Sequence, residues 1–344
     1  MIMRKLPSLL LGKLAGTYLS IPKVQTGTFL KILAYHRVNY HSGTDFLFND
    51  DVISCSPEIF DSQMSFCRKY FTPITFSHLR NCLNGEGQLP ERPLIITFDD
   101  GYKDSFTYAL PILKRYNLPA TIFLTTGYIG KNELFWWDAV AYSIKTSKRQ
   151  QLEMDINHSS YRFALDSNEE RRESIRKLCL ILKSLSNDKK NEVLQQLFLL
   201  TDVRAPQAEI SMGWDDVREM CCEGIEFGSH TVTHPILTKI SGKDIIFELE
   251  ESKKIIESTI DREVIAFAYP NGLREDFDSH IKNVLNDLGY RYAVSYINGI
   301  NNIADFDSYD LKRISVHGGD LPYFKTQISF PHLPFVKAYK RSTL

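Results

Sequence analysis

Apolar residues along the chain fall into two recurring patterns, short continuous runs and longer stretches with helical spacing. The run Ile32-Leu33-Ala34-Tyr35-His36 predicts a strand whose last residue faces a site, although a His that simply packs at the strand end fits the pattern as well. Between Ser56 and Tyr70, the residues Ile59, Phe60, Met64, Phe66 and Cys67 share a helical face. Ser56 is placed to cap that helix, and Pro57 sits in its first turn. Leu94-Ile95-Ile96-Thr97-Phe98 predicts a buried strand that runs straight into Asp99-Asp100-Gly101. Tyr108–Tyr116 has helical spacing, and Ala120–Thr125 is a further apolar strand. Strand, helix and strand in that order predict a parallel α/β arrangement.

Residues 131–210 break this alternation and predict a mostly helical insertion. Leu134–Ile144 and Asp188–Leu200 are helical, and Gln151–Leu165 alternates weakly, as a hairpin would. Ser167-Asn168-Glu169-Glu170 has the form of a capping box that opens a helix to about Ser184. Beyond the insertion the strands and helices resume. Trp214–Glu223, Gly242–Thr259 and Phe277–Leu288 predict helices; Ile225–Gly228, Val264–Ala268, Tyr292–Ser295 and Leu311–Val316 predict strands.

In parallel α/β folds ligands gather at the C-terminal ends of strands. His36, Asp99-Asp100, His230 with His234, and Pro270-Asn271-Gly272 all fall at such ends. Neighbouring carboxylates can divide roles, one binding a metal and the other staying free as a base. Asp-Asp-Gly is also common in solvated turns, but the apolar run before it makes burial without partners costly. His230 and His234 are four residues apart and would share a face on a helical turn. Alone, that pair is as well explained by packed or surface histidines. With one Asp it supplies three ligands to Zn²⁺ or a similar ion and leaves a position for water.

Composition narrows the class. The chain has 344 residues, which at ~150 per domain suits two domains or one large barrel. Hydrophobic content of 43% and charged content of 24% exclude a disordered, collagen-like or polytopic membrane chain. A net charge of −1 argues against a nucleic-acid partner bound by phosphate neutralisation. The 6 cysteines show no CxxC pair or regular spacing and predict reduced thiols without chemistry. In residues 1–22, Arg4 and Lys5 precede an apolar run that Pro7 and Lys13 interrupt, too broken for a signal peptide or a bilayer span. A helix packed on the domain and a basic segment touching a membrane surface both fit it. The expected location is cytoplasmic or peripheral at a membrane rather than secreted.

Thr97-Phe98-Asp99-Asp100-Gly101 and Gly228-Ser229-His230-Thr231-Val232-Thr233-His234-Pro235 resemble the first two motifs of the polysaccharide deacetylases (carbohydrate esterase family 4, NodB homology). Phe267-Ala268-Tyr269-Pro270-Asn271-Gly272 resembles the third, and likeness extends to Leu33–Val38, Pro119–Phe123, Trp136-Trp137-Asp138 and Trp214-Asp215-Asp216. The resemblance implies a distorted (β/α) barrel over residues 31–330 with the insertion at 131–210, an N-terminal segment (1–30) and a C-terminal tail (331–344). It implies a hydrolase that removes acetyl from N-acetylated sugars with a divalent metal, Zn²⁺ first and Co²⁺, Ni²⁺ or Fe²⁺ as alternatives. Carried over, Asp99 is the base that activates the metal-bound water; Asp100, His230 and His234 hold the metal; the Asn271 N–H stabilises the oxyanion. His36, Tyr269, Pro270 and Trp137 would contact substrate, an N-acetylated glycan or a lipid-linked saccharide of surface-polysaccharide synthesis. Trp136, Trp137 and Trp214 suit sugar stacking or core packing, and Asp138 suits a supporting partner or a helix N-terminal charge.

Three positions depart from the family pattern. The Arg that often stands two residues before the motif-three Pro, where it orients the base, is Ala268 here, and the usual Tyr after that Pro is Asn271. The family's late Leu-x-His motif, which supplies the general acid, has Val316-His317 as its nearest counterpart. These departures leave room for a glycan-binding protein without turnover, and related metal sites leave room for a non-sugar amide or cyclic imide as substrate.

Overall fold

A computed structural model describes residues 29–40, 46–204, 206, 208–316 and 318–331. The expected N-terminal segment at 1–22, the candidate acid His317, and all but the first residue of the tail at 331–344 lie outside them.

Seven parallel strands follow one another around a closed ring: β1 (Phe29–Tyr35), β2 (Pro93–Phe98), β3 (Thr121–Leu124), β4 (Glu226–Ser229), β5 (Ala266–Ala268), β6 (Tyr292–Asn298) and β7 (Leu311–Ser315). Closure is visible at Leu33, which registers with Ile96 of β2 on one side and Ile314 of β7 on the other. Each strand is short and apolar, as strands buried on both faces must be. Helices cover the outside, among them Pro57–Tyr70, Leu110–Tyr116, Trp214–Cys222, Gly242–Ile260, Ser279–Asp287 and Leu321–Ser329. Ser56 accepts the Ile59 N–H and caps the first of these, as its sequence predicts.

Two buried clusters separate the faces of the ring. Leu33, Tyr35, Ile96, Phe98, Ile122, Phe227, Phe267 and Ile314 pack outward with Phe60, Met64, Leu249, Ile281 and Phe324 of the helices. Leu30, Ile32, Ile95, Phe123, Ala266, Ala268, Val294 and Leu311 fill the interior with Ile74, Phe76 and Leu79, which plug its lower end. Alternation along a strand then decides what the upper end receives. Ile32 and Ala34 lead to His36, Ile95 and Thr97 to Asp99, Gly228 to His230, Val294 to Tyr296, and Leu311 to Arg313. The lower end is tied by Glu226, the first residue of β4, whose carboxylate accepts the Phe76 and Ser77 N–H groups at 2.9 Å each.

The described part of 41–52 forms a second compact unit with 131–210. It contains helices Trp136–Thr146, Asn168–Lys183 and Asn187–Thr201 and the hairpin Gln151–Ile156/Ser159–Ala164. The hairpin turns at Asn157 and His158, both left-handed, as a tight two-residue turn requires. Ser167 and Glu170 form the expected capping box. Within this unit Lys145 Nζ reaches Asp50 at 2.9 Å, and Arg176 grips Asp51 with two bonds of 2.9 Å. Among the described residues no helix is long and apolar enough to cross a membrane.

Gly228 is where the ring interior is tightest. A Cβ there would lie 2.5 Å from the Phe123 ring and 2.8 Å from the Ala266 carbonyl oxygen, so β4 and β5 would have to separate. Gly228→Ala is expected to cost at least ~1–3 kcal/mol in urea unfolding. A loss under about 0.5 kcal/mol would contradict this packing.

Candidate metal and catalytic site

The upper mouth of the ring gathers three ligand groups. Asp100 follows β2 and adopts a left-handed backbone, φ 74°. The loop after β4 carries His230 and His234, with Thr231 at φ 69° and His234 at φ 59°. It is an irregular loop rather than the helical turn expected from the four-residue spacing. Non-glycine residues rarely adopt this conformation, least of all a β-branched Thr, so tertiary contacts must hold the loop in shape. Asp100, His230 and His234 are all buried, and their ligand atoms lie within 4.8 Å of one another. Both imidazole Nε2 atoms stand 3.6 Å from Asp100 Oδ1, beyond hydrogen-bond range.

The residues fit a divalent ion. Ligands at ~2.0–2.1 Å around a tetrahedral ion are separated by roughly 3.3 Å, close to these spacings. His230 Nδ1 lies 2.7 Å from the Ala268 carbonyl, which keeps the proton on Nδ1 and turns the Nε2 lone pair toward Asp100. Burial pushes the His230 pKa down against the pull of the Asp99 charge, favouring the neutral imidazole that a metal requires. Imidazole and carboxylate donors suit Zn²⁺, Co²⁺, Ni²⁺ and Fe²⁺ alike.

Asp99 faces the same space and is held by Arg313. The guanidinium donates to Asp99 Oδ1 at 2.7 Å and Oδ2 at 2.8 Å. It is held in turn by Thr97 Oγ1 at 3.2 Å and by the Ser295 carbonyl at 2.9 Å. Both side chains are buried, Arg313 completely. Burial alone would push the Asp99 pKa up, but the Arg313 charge and its hydrogen bonds overcome this and hold it at about 2. His36 Nε2 lies 3.9 Å from Asp99 Oδ2. The Tyr296 ring closes the arrangement, edge-on to His36 at 5.6 Å and against Arg313 at 5.7 Å.

Residues 86–178 and 181–293 match the sequence pattern of the family described as polysaccharide deacetylase. The chain belongs to that family. Over 120 residues it is 30% identical to the poly-beta-1,6-N-acetyl-D-glucosamine N-deacetylase of Staphylococcus aureus (strain MSSA476), a match covering 32% of this chain and 40% of that protein. The Escherichia coli (strain K12) protein of the same name is 27% identical over 84 residues, 24% of this chain and 12% of that one. The chain thus spans well under two thirds of the length of the curated relatives it matches. In fold it is similar to the Streptococcus pyogenes deacetylase PplD in complex with acetate, with TM-score 0.56, 19% identity and coverage of 87% of this chain and 97% of that one. IcaB from Ammonifex degensii gives TM-score 0.55 at 17% identity over 88% and 98% of the two chains.

Arg313 is the site residue that no sequence motif revealed. Its signal was an Arg at an inward position of a mostly buried strand, two residues from Leu311. It brings Asp99 a guanidinium that position 268, an Ala, cannot supply, while the Ala268 carbonyl accepts the His230 hydrogen bond. Asn271 stands at φ 58°, and its N–H has no hydrogen-bond partner among the described residues.

Three expected substrate contacts, Tyr269, Pro270 and Trp137, are packed against neighbouring residues, and Asp138 supports its own unit. Tyr269 is buried, stacked on Phe277 at 4.1 Å, and donates its hydroxyl to the Tyr309 carbonyl, so it anchors the core rather than a sugar. Pro270 is buried beside it and holds the turn by accepting the Gly272 N–H at 2.7 Å. Trp137 belongs to the second unit, is 7% exposed and stacks on Phe135 at 4.9 Å, which leaves little ring face for a sugar. Asp138, in the same unit, accepts the Asn49 N–H at 2.9 Å and is a structural partner there.

Replacing Arg313 by Met is expected to cost ~3–5 kcal/mol in denaturant unfolding of chelator-treated protein, because Asp99 is left charged and buried. The pH dependence should change sign. In the wild type the Asp99 pKa is lowered, so its contribution is complete above the unfolded value near 3.8 and is lost as pH falls toward about 2. In the variant, burial without a partner raises that pKa, and stability should improve as pH falls from neutrality. Equal slopes for the two proteins would refute this account.

Proposed function

We propose that this chain is a divalent-metal-dependent N-deacetylase that hydrolyses the N-acetyl amide of glucosamine units in a surface glycan, giving a free amine and acetate. The observation that carries the proposal is the meeting of an Asp-His-His ligand set with a second carboxylate, Asp99, that is ionised, oriented by Arg313 and left out of the ligand set. The names of the S. aureus and E. coli relatives favour a polymer over a lipid-linked unit as substrate.

An ion held by Asp100, His230 and His234 would polarise the amide carbonyl and acidify a water. Asp99 accepts a proton from the attacking water; Arg313 occupies one lone pair on each of its oxygens and keeps the other available. Each hydrogen bond from Arg313 also fixes the plane of the carboxylate, so proton acceptance needs no reorganisation. His36 Nε2, on the same side of the mouth, gives a proton to the leaving nitrogen, without which the amine cannot depart. In this reading the general acid is His36, at the end of β1, in place of His317. The Asn271 N–H donates to the carbonyl oxygen as it becomes negative.

Acetate release from N-acetylglucosamine oligomers, with Zn²⁺ or Co²⁺ supplied, tests the proposal. Asp99→Asn and His36→Ala are each expected to lower kcat by ~10²–10⁴, and chelation should abolish release reversibly. Metal-loaded wild type that releases no acetate would shift the reading to a non-sugar amide. Wild type that neither binds metal nor releases acetate would favour glycan binding without turnover.

A further inference from the structure

The loop that carries both candidate imidazoles is gripped from two sides by residues outside the family motifs. From the helix Gly242–Ile260, the buried Glu248 accepts the Val232 N–H at 2.7 Å and the Thr233 N–H at 2.9 Å through Oε2, and the Thr233 hydroxyl at 2.5 Å through Oε1. One turn along, Ser252 Oγ lies 2.6 Å from Ser229 Oγ, which in turn accepts the Thr231 N–H at 3.3 Å. From the opposite side, the segment after β3 donates Thr126 N–H to the Thr231 carbonyl at 3.1 Å and Gly127 N–H to the Val232 carbonyl at 2.8 Å. Both backbone polar groups of Val232 are therefore fixed, its N–H by Glu248 and its carbonyl by Gly127. A Cβ on Gly127 would sit 2.5 Å from the Val232 oxygen, so this approach requires glycine.

We propose that Glu248 is a positioning residue for the metal site: it clamps residues 231–234 in their strained conformation and so sets the directions of His230 and His234 before an ion arrives. The assignment rests on the metal reading above. Left-handed Thr231 and His234 would relax toward ordinary backbone angles without it, and the two imidazoles would diverge. Preorganisation of this kind appears in metal affinity, because an unclamped loop must be ordered again at each binding event.

The experiment measures the Zn²⁺ dissociation constant of the purified full chain by chelator competition, with melting temperatures recorded alongside. Glu248→Ala is expected to weaken Zn²⁺ binding by ~10–100-fold at a temperature where the variant is folded. Glu248→Gln should restore affinity to within about threefold, since its amide oxygen can accept both N–H groups and its NH₂ can donate to Thr233. If Glu248→Ala does not fold, Gly127→Ala decides the matter, because it displaces the same loop and leaves Glu248 in place. Zn²⁺ affinity within about twofold of wild type in a folded Glu248→Ala, or in Gly127→Ala, overturns the clamp even if the melting temperature falls. Wild type that takes up no Zn²⁺ overturns the metal reading itself, a distinguishable result.

Discussion

Asp99 and Arg313 form a bidentate ion pair at the mouth of the ring, where both side chains are almost wholly buried. Transferring such a pair out of water costs several kcal/mol per ion, and the attraction recovers that cost only when the remaining donors are satisfied. Here Thr97 and the Ser295 carbonyl take up two more of the guanidinium's donors. Four strands thereby acquire fixed relations: β2 through Asp99 and Thr97, β6 through Ser295, β7 through Arg313, and β1 through the Thr97 hydroxyl on the Leu33 carbonyl. Apolar side chains could fill the same volume at lower cost, so the pair is better understood as orienting a carboxylate than as stabilising a fold.

Around that pair the site divides its charges. Asp99 is neutralised by a protein cation, whereas Asp100, the next residue, faces two imidazoles. The reversal between neighbours is made by the left-handed turn at Asp100, which sends its carboxylate along a different course from that of Asp99. Both carboxylates are buried, Asp99 against the Arg313 guanidinium and Asp100 against the two imidazoles. The His230 ring joins the two regions, since its Nδ1 is held by β5 and its Nε2 faces Asp100.

Strain is concentrated at the same mouth. Asp100, Thr231, His234 and Asn271 all have positive φ, and they occupy three loops that meet there. Each loop is braced by hydrogen bonds from outside it: Glu248 and Gly127 on the histidine loop, the Met212 N–H on the Gly101 carbonyl at 3.0 Å for the Asp100 loop, and the Tyr296 N–H on the Gly272 carbonyl at 2.8 Å for the Asn271 loop. Short parallel strands packed on both faces make the rigid base that such loops require.

The sequence by itself determined the alternating α/β plan, the helical insertion, and the placing of His36, Asp99, Asp100, His230 and His234 at strand ends. Those features are local, written in runs of apolar residues, in caps such as Ser56, and in motifs a few residues long. What only the tertiary structure decided depends on contacts between distant parts of the chain. Arg313 stands 214 residues from Asp99, and only closure of the ring between β1 and β7 brings them together. Ala268 hid that replacement, because an orienting arginine can enter a barrel interior from any inward position, and adjacency in sequence does not reveal which. Tyr269 and Trp137 showed the complementary failure. An aromatic ring beside a motif stacks equally well on a sugar or on a neighbour, and burial against Phe277 and Phe135 settled what residue type alone could not.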